Sequence, residues 1–551
     1  MVADRTASII CTGIGENGPV TSAIVFAISL VRILRIGRRP SNYPPGPPTI
    51  PILGNLHLMP KRDAHLQFQK WAKEYGPVYS LILGTKTLIV LSSDQAVKDL
   101  LDKKSAIYSD RQDMYIRQEL CSGGLRVLMM KYGATWRMSR KLTHNLLNVS
   151  SARSYVPYQM LENKQLLHEI LHEPQNVLQS IRRYSNSLTT AMTFGWRTPS
   201  NEDPKLQQLF SGFEKFSVLN QTGTAALIDY YPVLRLLPEF ILSVQTKARE
   251  LHRIEKQLYV GHWLKAKQAI KDGSAKPCFC VDLARSQANE GFSDNQASYI
   301  SGTVLEAGSD TTSSTIYAFV QAMLLFPEVQ RKAKAEIEKV VGPNILPTME
   351  DEKDLQYIRG IMKESLRWMP TTILGAVPHA VTKVDVYMGY TIPSGAGVMN
   401  NVYTINMDPI RFPNPRQFQP ERYAEDFQSL GESAANPDAS KRDQFTFGAG
   451  RRICPGIHVA ERSLFIAISR ILWAFEIRPR KDAAGKDVLP DAKRLTQGFV
   501  CMPEEFVCDI VPISKERAAM VEREWEEAKE LLDMKTGQWK EIPEGMAFGS
   551  V

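Results

Sequence analysis

The sequence predicts a mainly α-helical protein with small β-sheets at its edge, an α+β fold. Three observations predict it. From about Asp94 onward apolar residues recur at helical spacing over most of the chain. Strand-like runs are short and confined. They are Val78–Leu83 and Thr87–Leu91 around a Gly84-Thr85-Lys86 turn, the region Gly375–Pro393 with turn signals at Gly389 and Pro393, and Phe506–Ile510. No internal repeat of about 20–50 residues is visible, which excludes solenoids and propellers. With 551 residues, 43% of them hydrophobic, the chain can bury a large core without disulfides or structural metal.

In chain order, the first element is an apolar run. Asn17 to Val31 carries no charge, and Val20 to Ile36 is mostly apolar. Arg32, Arg35, Arg38 and Arg39 follow it, whereas only Asp4, Arg5 and Glu16 precede it. This predicts a single-pass N-terminal membrane anchor over residues 1–40, with the rest of the chain on the cytosolic side. The run is short of the roughly 20 residues a spanning helix needs, and arginine stems reaching the headgroups would extend it. A cleavable signal peptide is the alternative, but a basic leading segment and a small-residue cleavage site are missing. Tyr43-Pro44-Pro45-Gly46-Pro47-Pro48 reads as a stiff, extended hinge. A catalytic domain over 41–512 follows, then a charged tail over 513–551 in which Glu516–Met534 has a helical pattern. Gly13-Ile14-Gly15-Glu16-Asn17-Gly18 matches a dinucleotide fingerprint, but an apolar run and prolines follow it instead of a βαβ unit.

Net charge is +8, too dilute over this length to imply nucleic acid, though it allows a basic face for an acidic partner. The seven cysteines are odd in number, irregularly spaced and without a CxxC pair, which argues against zinc ribbons and for a reducing compartment. Cys278 and Cys280 read as buried or loop thiols. Asn148-Val149-Ser150 and Asn220-Gln221-Thr222 would matter as glycan acceptors only in a secreted protein.

Four stretches carry the chemistry. In Phe447-Gly448-Ala449-Gly450-Arg451-Arg452-Ile453-Cys454-Pro455-Gly456 a lone thiol follows a glycine-rich turn and precedes the helix predicted over Ile457–Phe475. The helix N-terminus and the arginines would lower the pKa of Cys454; a buried structural cysteine or a nucleophile are the other readings. Glu364 and Arg367 stand at i,i+3 on one helix face, a spacing that by itself describes a solvated ion pair. Pro420-Glu421-Arg422-Tyr423 follows a turn-rich segment. Ala307-Gly308-Ser309-Asp310-Thr311-Thr312 puts a glycine and an acid–hydroxyl pair inside a long helix, where close helix packing is the plainer reading.

Together and in this order, these stretches resemble the cytochrome P450 haem-thiolate family, from about Tyr43 to Pro512. Phe447, Gly450, Arg452, Cys454 and Gly456 fit its FxxGxRxCxG loop. Glu364 and Arg367 fit ExxR, and Arg422 fits the PERF-like piece, with Tyr423 where phenylalanine is common. Trp136 and Arg140 resemble the WxxxR of its C helix. The resemblance implies that Cys454 is the axial ligand of a haem b iron, a thiolate suited to O–O cleavage, and that Phe447 packs on the sulfur side. It implies that Arg452, Trp136, Arg140 and His379 hold the haem propionates, and that Glu364, Arg367 and Arg422 form a structural network behind it. It also implies that Gly308 makes room for oxygen while Asp310 and Thr311 relay protons.

The same resemblance implies a monooxygenase on the endoplasmic reticulum membrane. Electrons come from NADPH through an NADPH-cytochrome P450 reductase, for which Lys441, Arg442 and Arg451 are candidate contacts. The regions Ile107–Met130 and Phe210–Val244, with Val304, Leu305, Ala307, Ile373, Leu374 and Phe499–Met502, align with the family's pocket and are largely apolar. They fit a hydrophobic small-molecule substrate. Tyr230–Val244 is a candidate for the pocket entrance or for bilayer contact. Gly448–Leu464 is similar to fungal members that tailor secondary metabolites. Two rival classes share the cysteine loop: a haem-thiolate isomerase that uses no dioxygen, and a non-enzymatic haem sensor.

Overall fold

The computed structural model describes residues 18–221 and 223–541. The first helix is α1 (Gly18–Arg35), and the helices around the centre are α2 (Ala134–Leu147), α3 (Val156–His172), α4 (Val177–Phe194), α5 (Ser243–Lys271), α6 (Asp294–Leu325), α7 (Gln356–Trp368), α8 (Ile457–Ala474) and α9 (Lys515–Lys529). The strands are β1 (Val78–Leu83), β2 (Lys86–Leu91), β3 (His379–Ala380), β4 (Asp385–Tyr387), β5 (Tyr390–Ile392), β6 (Gly397–Asn400), β7 (Phe475–Arg478), β8 (Arg480–Lys481), β9 (Asp487–Val488) and β10 (Asp509–Pro512). The mainly α architecture with small sheets is the one the sequence predicts.

α6 is the axis of the molecule. A capping box between Ser293 and Gln296 starts it, satisfying two of the N–H groups a helix start leaves open. It packs on α4, α5 and α8. α8 is so apolar that every residue from Ser463 to Ala474 is buried. Around these helices lies one large core that also takes in α3 and α7.

The main sheet runs β1-β2-β6-β3. β1 and β2 form a hairpin, from Val78 opposite Leu91 to Leu83 opposite Lys86. β6 then joins β2 in parallel, Leu88 opposite Gly397, and β3 joins β6 antiparallel, His379 opposite Val398. This distant pairing fixes where His379 sits. β4 pairs with β5, β7 with β10, and β8 with β9.

The N-terminal anchor finds no support here. Among the described residues no helix is long and apolar enough to cross a membrane. α1 has 18 residues, with Arg32 and Arg35 in its last turn, so its charge-free part is shorter than a hydrocarbon core of about 30 Å requires. The Gly13–Asn17 part of the fingerprint match lies outside the described residues, as do Cys11 and residues 542–551. The proline stretch is docked on β1. Ser80 donates its N–H to Pro45 O at 2.7 Å and its hydroxyl to Pro44 O at 2.6 Å. Arg39 clamps the same corner, donating to Ser80 Oγ (2.9 Å), Gly46 O (2.8 Å) and Asn55 Oδ1 (3.3 Å). Removal of residues 1–35 is therefore expected to leave a folded, haem-loaded protein that binds vesicles less tightly. Removal of 1–39, which also takes Arg39, is expected to cost a further ~2–3 kcal/mol through its four lost hydrogen bonds, the fourth being to Ser80 O at 2.9 Å. Denaturant titration of the two truncations measures this, and equal stability would show that the clamp carries no weight.

The C-terminal tail is more than a solvated helix. In α9 Met520, Val521, Trp525 and Ala528 fall on one helix face and are buried, and the helix packs on α3. Arg517 donates to Trp473 O at 2.8 Å. Beyond the helix, Gln538 exchanges hydrogen bonds with the Arg197 backbone at 2.8 and 3.0 Å. The Arg197 guanidinium lies 4.7 Å from the Trp539 ring centre.

Candidate active site

The loop before α8 is built around two glycines in the left-handed region, Gly448 (φ 75°) and Gly450 (φ 63°). At Gly450 no other residue fits, since a Cβ there would stand 1.9 Å from Leu101 O. The Gly450 N–H donates to Asp102 Oδ1 at 2.7 Å. A 3-10 turn over Gly450–Arg452 follows, and the Cys454 N–H donates back to Phe447 O at 2.9 Å. Gly456 caps α8, and its N–H reaches the Cys454 sulfur. Burial pushes the Cys454 thiol up, while the Gly456 N–H and Arg140 oppose it. The helix-start N–H and the arginine thus pull the pKa down as the sequence suggests, but desolvation of the thiolate is the larger effect and the net shift is upward. A metal cation at the sulfur is what would hold it deprotonated.

Next to this loop the structure gathers positive charge. Arg452 lies 4.2 Å from the Trp136 ring centre. It donates to Ser109 O at 2.9 Å and to Met130 O at 2.7 Å, and its Nη1 is buried without a partner. Burial and Arg140 lower its pKa to about 10, against the pull of Asp110. Arg140 donates to Ile453 O at 2.5 Å. His379 hydrogen-bonds through Nδ1 to Tyr108 O at 2.8 Å. Burial, Arg111 and Arg452 hold it neutral, with a pKa of about 3. Arg111, which the sequence reading missed, joins this group. It is fully enclosed and spends its donors on Val377 O (2.6 Å) and Leu128 O (3.1 Å). None of Arg111, Arg140 and Arg452 has a carboxylate within ion-pair distance among the described residues. A buried cation without a counter-charge is costly, so this cluster calls for an anion. The two propionates of a haem, with Cys454 for its iron, meet that demand. The residues present fit the group.

Glu364 and Arg367 are 0% exposed and paired through two bonds, at 2.7 and 2.6 Å. Gln419 N–H (2.9 Å), Tyr423 OH (3.2 Å) and the more distant Arg422 Nε (3.4 Å) also donate to Glu364. Arg367 donates to Asn406 O at 2.9 Å. The spacing alone suggested a surface pair; the packing of the Pro420–Tyr423 turn and Asn406 over this face of α7 makes it an interior one. Tyr423, where the family commonly has phenylalanine, supplies an added donor.

On α6 the glycine stands at a close helix–helix approach. A Cβ on Gly308 would stand 2.5 Å from Thr189 Oγ1. The glycine thus lets α6 approach α4. Ala307 is the exposed position of this stretch, with half-buried Thr311 on the same face one turn on. Thr311 donates its hydroxyl to Ala307 O at 2.6 Å. Burial raises the Asp310 pKa to about 6, with Arg182 opposing and Glu306 adding to the rise. Arg442, offered above as a partner contact, is 3% exposed and holds Asp102, so it cannot meet a docking protein. Lys441 and Arg451 stay exposed.

Comparison with known proteins agrees with this geometry. The family model for cytochrome P450 matches residues 44–507. The chain is 52% identical over 520 residues to cytochrome P450 monooxygenase virE of Hypocrea virens, covering 94% of each chain. It is 47% identical over 526 residues to cytochrome P450 monooxygenase fogE of Aspergillus ruber, covering 95% of this chain and 97% of that one. It is also 47% identical over 529 residues to cytochrome P450 monooxygenase fsoB of Humicola fuscoatra, with 96% and 97% covered. The chain belongs to the cytochrome P450 family. The expected class, a haem-thiolate monooxygenase, stands with it.

Proposed function

We propose that this protein inserts one oxygen atom from dioxygen into a hydrophobic small molecule as a tailoring step in fungal secondary metabolism. Its electrons come from NADPH through a cytochrome P450 reductase. The observation that carries the reading is the uncompensated cation cluster beside Cys454. A bound haem would supply dioxygen activation, with Cys454 as its thiolate ligand. Arg452, Arg140, Arg111 and Trp136 would hold its propionates. A propionate at His379 Nε2 would offset the two arginines and favour the doubly protonated ring, which then donates to Tyr108 O and to the carboxylate. Phe447 would cover the sulfur side, and the Gly456 N–H would temper the charge on sulfur.

Across the site, Asp310 exchanges protons with solvent near neutral pH, as its raised pKa suits it to do. Thr311 passes them on through its hydroxyl, now bonded to Ala307 O. Thr311→Ala is expected to keep haem and substrate binding yet lower the yield of product per NADPH about tenfold, the worth of one hydrogen bond of ~1.4 kcal/mol. The missing product should appear as peroxide. NADPH consumed, peroxide released and product formed are measured side by side. Unchanged coupling would remove Thr311 from proton delivery and favour the isomerase reading.

Membrane attachment follows from an apolar face. Leu236 (84% exposed) and Phe240 (87% exposed), with Val233 and Ile241, stand beside Ile52, to which Tyr231 OH is bonded at 2.8 Å. Such a patch suits the bilayer interface. With α1 it would hold the enzyme on the endoplasmic reticulum without need of a full span. Lys441 and Arg451 offer the reductase a basic contact on the cysteine side.

A further inference from the structure

His168, Glu169, Ile170, Leu171 and His172 form an HExxH pattern on α3, a feature the family reading leaves unused. Two histidines four residues apart share a helix face. The structure brings a third ligand to them from the C-terminal tail: Glu522, on α9. Its Oε1 lies 2.6 Å from His172 Nε2, and its Oε2 lies 3.3 Å from His168 Nε2. The potential ligand atoms all lie within 4.8 Å of one another. Ligands of a tetrahedral zinc ion stand about 3.3 Å apart, given bonds of about 2.0–2.1 Å. Small rotamer changes would close the set, with water in the fourth position.

We propose that His168, His172 and Glu522 form a zinc-class metal site that clamps the C-terminal helix to α3. The same five-residue pattern serves zinc proteases, where its glutamate is the general base. That role is barred here. Glu169 is bound to Arg183 Nε at 2.6 Å and to Gln165 Nε2 at 2.7 Å, and Arg183 is itself buried and tied to Glu162. The site is structural, and it joins two segments more than three hundred residues apart. The tail has its own anchors in Trp525, packed 6.0 Å from the His168 ring, and in Lys164, paired with Glu524 at 2.7 Å. These anchors hold α9 against α3, so the three residues are neighbours before metal arrives.

The test uses the haem-loaded full chain and zinc chloride as probe. Isothermal titration at neutral pH is expected to give one zinc per chain. His168→Ala/His172→Ala should abolish it, and Glu522→Gln should weaken it at least tenfold. Zinc should also slow backbone hydrogen exchange in residues 515–529 of the wild type but not of the variants. The two histidines are partly exposed, and the spectrum of the bound haem reports whether each variant is folded. Unchanged zinc binding in the double variant, or in Glu522→Gln, overturns the proposal. So does binding that leaves exchange in the tail unaltered.

Discussion

Cys454→Ser is expected to remove the red-shifted reduced-CO band of a thiolate-ligated haem and to cut product formation by several orders of magnitude. A serine hydroxyl ionises far less readily than a thiol and gives iron less electron density. Among the described residues no other thiol can take over. The other five described cysteines are all buried and free, and burial pushes each of them up, Cys501 to about 12. None has the glycine loop, the helix start and the cation cluster around it. The check is a CO difference spectrum of the variant together with its turnover. A variant that keeps both the band and its activity places the ligand elsewhere.

Glu364→Ala and Arg367→Ala are each expected to give little or no haem-loaded protein, and not merely a slower enzyme. Either change strands a charge at a position of 0% exposure. Such losses cost on the order of 3–5 kcal/mol, against a total stability of about 5–15 kcal/mol. Arg422→Ala should cost less, because Arg422 is partly exposed and its bond to Glu364 is long at 3.4 Å. Tyr423→Phe removes one 3.2 Å hydrogen bond and should cost about 1 kcal/mol. Haem content per chain and thermal melting measure the series. Normal haem content in both Glu364→Ala and Arg367→Ala would show that the pair carries no structural load.

Much of this was legible in the sequence because it is local. The β1–β2 hairpin, α8 and the cysteine loop each follow from spacing and turn residues within a few positions. What failed was long-range. The sequence shows Gly308 as a helix-interior glycine, but that it meets Thr189 of α4 is a tertiary fact. Arg111 stands in a loop with no motif, and its place beside Arg452 follows from tertiary packing. Arg442 sits in a basic, polar stretch like Lys441, yet Asp102 draws it inward. The burial of α9 was present as an i, i+4 pattern at Val521 and Trp525, but charges at the intervening positions obscured it. The pKa of Cys454 went the other way because a sequence shows the helix start and not the desolvation.

The central claim is that the site uses dioxygen as an oxygen donor. The most direct measurement gives membranes carrying this protein and a reductase the apolar metabolites that accumulate when its gene is deleted, under isotopically labelled dioxygen. The account predicts NADPH-dependent conversion, with one labelled oxygen atom in each product molecule. Conversion that proceeds without label, or without NADPH, would contradict it.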